Sequence, residues 1–153
     1  KRVGKMSKKL AIINGCFDIL HEGHIKLFEK ANQVAPDNVV VFLNSDESYK
    51  ELKGKKPIMN EDARMAIIQA IKGVRKVIIF NSEKELGQLT KAYAPDYMIK
   101  GMEYRYTEYI GRNYVKESIL IAPVGTISSS NIKYDCYTQI KDFGPLNHKG
   151  KIK

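Results

Sequence analysis

Short apolar runs alternate along the chain with longer stretches in which apolar residues recur at helical spacing. Runs of three to five mostly apolar residues, bounded by polar residues or glycine, are typical of strands buried in a parallel sheet. The sequence predicts five such strands, at residues 10–14, 39–43, 77–80, 97–99 and 119–122. Because helical patterns separate most of them, the chain is expected to be an α/β protein.

Helices are predicted where apolar residues recur every three or four positions after a capping residue. In the first, Ile25, Phe28 and Ala31 share a face, and the pattern stops at Pro36. The polar, lysine-rich segment 44–57 is expected to be a loop. Further helices are predicted from Asn60 to about Gly73, from a capping box at 82–85, and from the serines at 128–130.

The length of 153 residues fits one domain with a hydrophobic core. We predict a doubly wound, five-stranded parallel sheet over residues 10–140, with a basic tail at 1–9 and a C-terminal tail at 141–153. In such sheets, ligands bind beyond the carboxyl ends of the strands, where the strand order reverses. Function is therefore expected just after the first, second and fourth strands and before the last helix.

The net charge of +9 comes almost entirely from the two ends of the chain. Eight basic residues and no acidic residue lie at 1–9 and 149–153. The body is nearly neutral, which argues against a nucleic-acid partner. No apolar run approaches the roughly 20 residues of a membrane span, so a cytoplasmic protein without a membrane partner is expected. Cys16 and Cys136 show neither metal-site spacing nor a disulfide framework.

The segment from Gly15 to His24 carries the strongest chemical signal in the chain. It places His21 and His24 on either side of Gly23, where a helix is predicted to begin, and this composition would produce His-x-Gly-His by chance in only about 0.4 % of chains. A helix N-terminus offers N–H groups and a positive dipole end to a phosphate, and Gly23 would let the backbone approach that anion. The imidazoles add donors for charge that develops on a phosphoryl group. The alternative is that both histidines only cap the helix or fill the core.

Five segments match the motif pattern of one enzyme family. They lie at 14–24, 44–46, 52–57, 100–104 and 128–132, and the first reads Asn-Gly-Cys-Phe-Asp-Ile-Leu-His-Glu-Gly-His. With them the chain resembles the nucleotidyltransferases that carry a His-x-Gly-His motif, and among these the heptose 1-phosphate adenylyltransferases of ADP-heptose synthesis. The resemblance covers roughly residues 10–134 and implies a Rossmann-like nucleotidyltransferase fold.

The resemblance also implies a reaction and a set of site residues. A substrate phosphate would attack the α-phosphorus of a nucleoside triphosphate, and pyrophosphate would leave. His21 and His24 would hold the triphosphate, and Lys53, on the 44–57 loop, would bridge the reacting phosphates. Mg²⁺ is expected to come with the nucleotide, without a metal-binding cluster in the protein or a tightly bound organic cofactor. Nucleotide binding is implied for Gly15, Cys16, Phe17, Gly23, Arg64, Lys100, Gly101, Ser128, Ser129 and Ser130, and substrate binding for Asp18, Asn44, Asp46 and Tyr104.

Several of these residues have a simpler alternative. Cys16 could be a small buried apolar side chain, and Arg64 could form a surface ion pair. The serines at 128–130 could be an ordinary helix cap. Lys53 shares its segment with other lysines, which are common on exposed surfaces. On the sequence alone these alternatives stay open.

Two nucleotides and two classes of acceptor are compatible with the resemblance. The leading interpretation is adenylyl transfer from ATP to a sugar phosphate similar to heptose 1-phosphate. ATP is favoured because Lys100, Gly101 and Tyr104 resemble the adenylyl-transferring enzymes, and because segment 123–128 lacks the arginine of the glycerol 3-phosphate cytidylyltransferases. The alternative is a CTP-dependent cytidylyltransferase that acts on glycerol 3-phosphate or a similar polyol phosphate.

The alternative from a different class of protein is a nucleotide- or RNA-binding module that has lost its catalytic activity. The intact set of His21, Gly23 and His24 argues against it, because intact phosphate ligands would be surplus in a pure RNA binder. Members of the resembled family are commonly dimers, so a homodimer is expected.

Overall fold

A computed structural model describes residues 8–102 and 108–142 of the chain. Tyr104 and most of both predicted tails lie outside these ranges. The strands are β1 (Ala11–Gly15), β2 (Val39–Asn44), β3 (Val74–Phe80), β4 (Tyr97–Gly101) and β5 (Glu117–Ile121). The helices are α1 (Glu22–Val34), α2 (Asp46–Lys53), α3 (Glu61–Gln69), α4 (Glu83–Tyr93) and α5 (Ser129–Asp142), with a short 3₁₀ helix at Arg112–Tyr114 before β5.

The five strands form one parallel sheet in the order β3-β2-β1-β4-β5. β1 pairs with β2 along its whole length, from Ala11 opposite Val39 to Gly15 opposite Leu43. On its other side, β1 pairs with β4 through Ala11 opposite Tyr97. The strand order therefore reverses between β1 and β4, and the predicted doubly wound α/β fold is confirmed.

Two apolar layers cover the two faces of the sheet. Ile13 of β1 belongs to the layer that contains Phe28 of α1 and Ile68 of α3. Ile12, the neighbouring residue, belongs to the opposite layer, which contains Leu86 of α4. Alternate residues of β1 thus face different helices, which decides on which side of the sheet each site residue lies.

The predicted strands are all present, but the segment predicted as a loop at 44–57 contains α2. Ser45 caps this helix by accepting a hydrogen bond from the Ser48 N–H, at 3.0 Å. Gly54 ends it with a left-handed φ of 74° and donates its N–H to the Lys50 carbonyl. Only Tyr49 among its apolar residues is well buried, so the helix forms through its caps and shows little apolar periodicity.

The helices are short and pack along the sheet. α5, the longest among the described residues, has 14 residues, and α1 has 13. In the described ranges, no helix combines the length and the apolar content that a membrane crossing requires.

Candidate active site

A cleft of about 730 Å³ opens at the carboxyl edge of the sheet, where the strand order reverses. Residues that follow β1, β2 and β4 line it, together with the start of α5, as the sequence predicted. A smaller depression of about 530 Å³ lies beside α1 and contains none of the predicted site residues. The predicted residues that line the cleft are Gly15, Cys16, Phe17, Asp18, His24, Asn44, Lys53, Lys100, Gly101, Ser129 and Ser130.

The two histidines of the His-x-Gly-His motif cap α1 reciprocally. The Nδ1 atom of His21 accepts the Gly23 N–H at 3.1 Å, and the Nδ1 atom of His24 accepts the His21 N–H at 3.3 Å. Their rings stack with centroids 3.8 Å apart, and the His24 ring also packs edge-on against Phe17. The histidines are therefore helix caps, and the capping fixes the orientation of both rings; the ring of His24 lines the cleft, and that of His21 does not.

This capping also determines where each neutral ring carries its proton. A nitrogen that accepts a backbone hydrogen bond cannot itself be protonated, so the proton resides on Nε2 in both histidines. The Nε2–H of His24, whose ring lines the cleft, is then available as a hydrogen-bond donor. Capping and phosphate binding use different ring nitrogens, so the two interpretations of these histidines are compatible.

Both histidines are held in the neutral form. Burial, aided by the nearby His21, lowers the pKa of His24 from its ordinary 6.5 to about 4. Burial also lowers the pKa of His21. Neutral rings keep Nδ1 as an acceptor and so preserve the cap.

The lowered pKa of His24 predicts a dependence of stability on pH. Between pH 6.5 and 4 the unfolded chain takes up a proton at His24 that the folded chain does not, so stability falls as the pH falls. A His24→Gln variant retains an acceptor at this capping position but cannot titrate. We expect the melting temperature of the wild-type chain to decline more steeply over this window than that of the variant. Parallel melting curves for the two chains would contradict the assigned protonation state.

Gly23 leaves room for the ring of His21. A Cβ atom at this position would lie 2.9 Å from Cε1 and 3.0 Å from Nδ1 of that ring. Any larger residue would displace the ring and weaken its bond to the Gly23 N–H. Gly23 therefore leaves space for the His21 ring. This role is additional to the predicted one, in which the Gly23 backbone approaches an anion.

The loop after β1 has a strained turn. Phe17 is buried with a left-handed φ of 48°, and a Cβ at Gly15 would lie 3.1 Å from its ring. Burial raises the pKa of the Cys16 thiol, which favours the protonated form of this side chain. The loop shapes the floor of the cleft through packing.

The predicted contact of Arg64 with the nucleotide requires a correction. Its side chain is completely buried, so it is neither a surface ion pair nor exposed to the cleft. The guanidinium donates to the carbonyls of Cys16 at 2.7 Å, Asn44 at 2.8 Å and Met59 at 2.9 Å. A further N–H binds the Asp46 carboxylate at 2.8 Å. Arg64 therefore ties the ends of β1 and β2 to the start of α3 and positions the loops of the site.

Asp18 was predicted to orient substrate hydroxyls, but its carboxylate is buried and bonded within the protein. It accepts the N–H groups of Ile58 at 3.0 Å and Met59 at 2.9 Å, the Tyr49 hydroxyl, and the ammonium of Lys133. Burial alone would raise the pKa of Asp18, but these hydrogen bonds, above all that from Lys133, outweigh it and lower the pKa. Asp18 therefore connects the loop after β1 with the segment before α3 and with α5.

Lys133 is a residue of the cleft that the motifs did not identify. It lies one helical turn after Ser129 and Ser130 on α5, bonds Asp18 and the Tyr49 hydroxyl, and lines the cleft. Burial would lower its pKa, but the bonds to Asp18 and Tyr49 raise it, so the ammonium stays charged. Its helical spacing from the serines was the available signal, because residues three and four apart share a helix face.

The serines at the start of α5 have separate roles. The Ser128 hydroxyl caps the helix by accepting the Asn131 N–H at 3.0 Å, which is the simpler of the two alternatives for this residue. The Ser129 hydroxyl donates to the Ile19 carbonyl at 2.8 Å and joins α5 to the loop before α1. Ser130 is exposed and lines the cleft, and the first N–H groups of α5 point out of the helix at the same place.

The remaining predicted residues lie around the same edge. Lys53 is the last residue of α2, not part of a loop, and its exposed side chain lines the cleft. Asn44 is buried and donates to the Ser48 hydroxyl at 3.2 Å, and Asp46 faces Arg64. Lys100 is buried at the end of β4, with its ammonium 5.2 Å from the centroid of the Tyr109 ring. Substrate contacts of these residues stay predictions, as does any role of Tyr104, which lies outside the described residues.

The possible metal ligands of the cleft are its histidine, cysteine and acidic side chains. Within residues 8–102 and 108–142, no three His, Cys, Asp or Glu side chains are grouped to hold a metal ion. The best-placed carboxylate, Asp18, already accepts four hydrogen bonds. That Mg²⁺ comes with the phosphates of a nucleotide stays a prediction.

Several known proteins are similar to this chain in sequence. The chain is 41% identical over 129 residues to the bifunctional protein HldE of Campylobacter concisus, and 38% identical over 136 residues to that of Desulfatibacillum aliphaticivorans. The alignments cover 84% and 86% of this chain. The chain spans 27% of the length of each relative, so it corresponds to one part of a longer protein.

Solved structures show the same fold. A lipopolysaccharide core biosynthesis protein from Thermoplasma volcanium GSS1 superposes with a TM-score of 0.60 at 24% identity, over 76% of this chain and 97% of that one. A protein of unknown function from Archaeoglobus fulgidus gives 0.59 at 14% identity, over 78% and 93%. Residues 12–133 match the model of the cytidylyltransferase-like family. This match covers most of the chain and confirms the resemblance of its motifs: the protein belongs to the cytidylyltransferase-like family of nucleotidyltransferases.

Proposed function

We propose that the chain transfers an adenylyl group from ATP to the phosphate of a sugar similar to heptose 1-phosphate. An oxygen of the sugar phosphate attacks the α-phosphorus, the bond from that phosphorus to the bridging oxygen of the β-phosphate breaks, and pyrophosphate leaves. The products are a sugar nucleotide with a diphosphate bridge and one pyrophosphate.

The observation that carries the proposal is the meeting of two helix N-termini at one cleft. α1 begins at the capped histidines, and α5 begins at the serines. The Ser129 hydroxyl reaches the Ile19 carbonyl, and Ile127 lies 3.8 Å from the position of a Cβ at Gly23, so the two helix starts are in contact. The positive dipole ends of the two helices and the Nε2–H of His24 make a site suited to a polyphosphate.

The chemistry requires no general base in the protein. A phosphate monoester is largely a dianion at neutral pH and attacks without losing a proton. The protein then has to align the phosphates and stabilise charge on the transferring group. Neutral histidine donors and lysine ammonium groups meet these needs, and the protonated Cys16 is not needed as a nucleophile.

Lys53 provides a direct test of this interpretation. Lys53→Ala should lower kcat by about tenfold to a hundredfold, because an ammonium at the reacting phosphates is lost. Lys56→Ala is the matched control, since Lys56 is also exposed and follows α2 but does not line the cleft. Steady-state rates of pyrophosphate release would measure both. Equal, small losses in the two variants would make Lys53 an ordinary surface lysine.

The acceptor and the nucleotide are proposed from the motifs and the relatives. The resemblance to the heptose 1-phosphate adenylyltransferases and the absence of an arginine from segment 123–128 support ATP and a sugar phosphate. Pyrophosphate release should be measured with ATP and with CTP against heptose 1-phosphate, mannose 1-phosphate and glycerol 3-phosphate. We expect kcat/KM to be highest for ATP with heptose 1-phosphate. A preference for CTP with glycerol 3-phosphate would instead support the cytidylyltransferase alternative.

Three further expectations accompany the proposal. Mg²⁺ would bind with the triphosphate and offset its charge, while the residues described above position the reacting groups. The chain would form a homodimer, and it would act in the cytoplasm. Each stays a prediction.

A further inference from the structure

The candidate cleft has two sides, separated by the carboxyl end of β1. Ile13 and Gly15 face the side of α1, which also carries the capped histidines, and Ile12 and Asn14 face the side of α4. On the α4 side, Asn14 lines the cleft together with Phe80 and Leu86. Asn14 is therefore a polar residue near the end of β1 that lies on the side of the sheet opposite the histidines.

Asn14 is partly exposed, and one feature distinguishes it from Asn44, the buried amide at this edge. Its Oδ1 atom is buried and has no hydrogen-bond partner among the described residues. Asn44, at the end of the neighbouring strand, donates from its side-chain Nδ2 to the Ser48 hydroxyl, and its backbone carbonyl accepts from Arg64. Buried polar atoms in folded proteins nearly always have a partner, so an orphaned oxygen on a residue that lines the cleft indicates a group that a ligand completes.

The in-line geometry of the proposed reaction indicates which of the two substrates would bind Asn14. In an in-line displacement, the attacking and leaving oxygens lie on opposite sides of the phosphorus. The leaving pyrophosphate belongs with the N-termini of α1 and α5, on the side of the histidines. The acceptor then approaches from the α4 side, where Asn14 lies.

We infer that Asn14 is a specificity-determining residue of the acceptor subsite, and that its amide binds hydroxyl groups of the phosphorylated sugar. This inference rests on the proposed function. An amide presents one acceptor and one donor side by side, which suits two neighbouring hydroxyls of a sugar ring. The apolar rings and chains of Phe80 and Leu86 would contact the carbon skeleton, while Ser82 and Glu83 supply polar groups at the same side of the cleft.

The kinetic test uses Asn14→Leu, which removes both polar atoms at nearly constant size. With ATP and heptose 1-phosphate, the KM for the sugar phosphate should rise by about tenfold or more, since a hydrogen bond in a buried site is lost. The KM for ATP should stay within about twofold. A rise in the KM for ATP with an unchanged KM for the sugar phosphate would overturn the inference, because the amide would then face the nucleotide.

The stability test compares the same substitution at two positions. Asn44→Leu breaks a satisfied hydrogen bond and should lower the melting temperature. Asn14→Leu removes an orphaned oxygen and should leave the melting temperature unchanged or raise it. An equal loss of stability in both variants would mean that the Asn14 oxygen has a partner within the protein, which overturns the inference.

A binding measurement separates this inference from the proposed function. Heptose 1-phosphate is titrated into the chain loaded with α,β-methylene-ATP, which cannot transfer its adenylyl group, and the heat of binding is recorded. We expect the wild-type chain to bind and Asn14→Leu to bind about tenfold more weakly. Equal binding to both, or no binding to the wild-type chain, overturns the inference. A wild-type chain that binds the sugar phosphate but releases no pyrophosphate with ATP contradicts the proposed function alone.

Discussion

The His24→Ala variant is expected to fold and to lose about a hundredfold or more in kcat. Removal of one preorganised donor to a developing oxyanion has effects of about a hundredfold to a thousandfold in enzymes that stabilise charge in this way. His24 is held in position by its bond from the His21 N–H and by its contact with Phe17, so its Nε2–H is preorganised. The rate of pyrophosphate release at saturating substrates measures the loss.

A second substitution separates the catalytic donor from the helix cap. His24→Gln keeps an acceptor for the His21 N–H, so its melting temperature should stay close to that of the wild-type chain at neutral pH. Its kcat should still fall, because an amide differs from the imidazole in reach and direction. A folded His24→Ala variant with wild-type turnover would remove His24 from the mechanism.

Replacing Arg64 with alanine should lower the free energy of unfolding by about 3 kcal/mol or more. The change leaves the carbonyls of Cys16, Asn44 and Met59 without their donor, in the interior of the protein. It also frees Asp46, which is partly exposed and so adds little. Urea unfolding at neutral pH gives the free energy directly.

Arg75→Ala is the matched control for this prediction. Arg75 is exposed and makes a single side-chain bond, to Asn38 at 2.7 Å. Its loss should change stability by about 0.5 kcal/mol or less. If Arg64→Ala is no more destabilised than Arg75→Ala, the buried network does not hold the loops of the site.

Local sequence patterns predicted most of the fold. The apolar runs that became β1 and β2 are buried on both faces, so their strands were evident from composition and flanking residues. The prediction of a loop at 44–57 was wrong, because this segment contains α2. α2 is stabilised at its ends by Ser45 and Gly54, and a helix that depends on its caps shows little of the apolar periodicity used to predict it.

The candidate site was predictable in its location but not in its internal bonding. The histidine motif stood out because it is local, and the fold placed it at the expected edge. Arg64, Asp18 and Lys133 bond to groups 18 to 115 positions away in the chain. A motif read along the chain does not indicate such partners, so the bonds by which Arg64 and Asp18 position the loops of the site were not predicted.

The measurement that tests the proposed reaction most directly is identification of the product. The chain is incubated with heptose 1-phosphate, Mg²⁺ and ATP labelled at the α-phosphorus. The products are then separated and identified by mass spectrometry. We predict that the label appears in an adenosine diphosphate sugar, with one pyrophosphate released for each molecule formed. Label that stays in AMP or ATP while pyrophosphate or phosphate accumulates, with no sugar nucleotide, would contradict nucleotidyl transfer to a sugar phosphate.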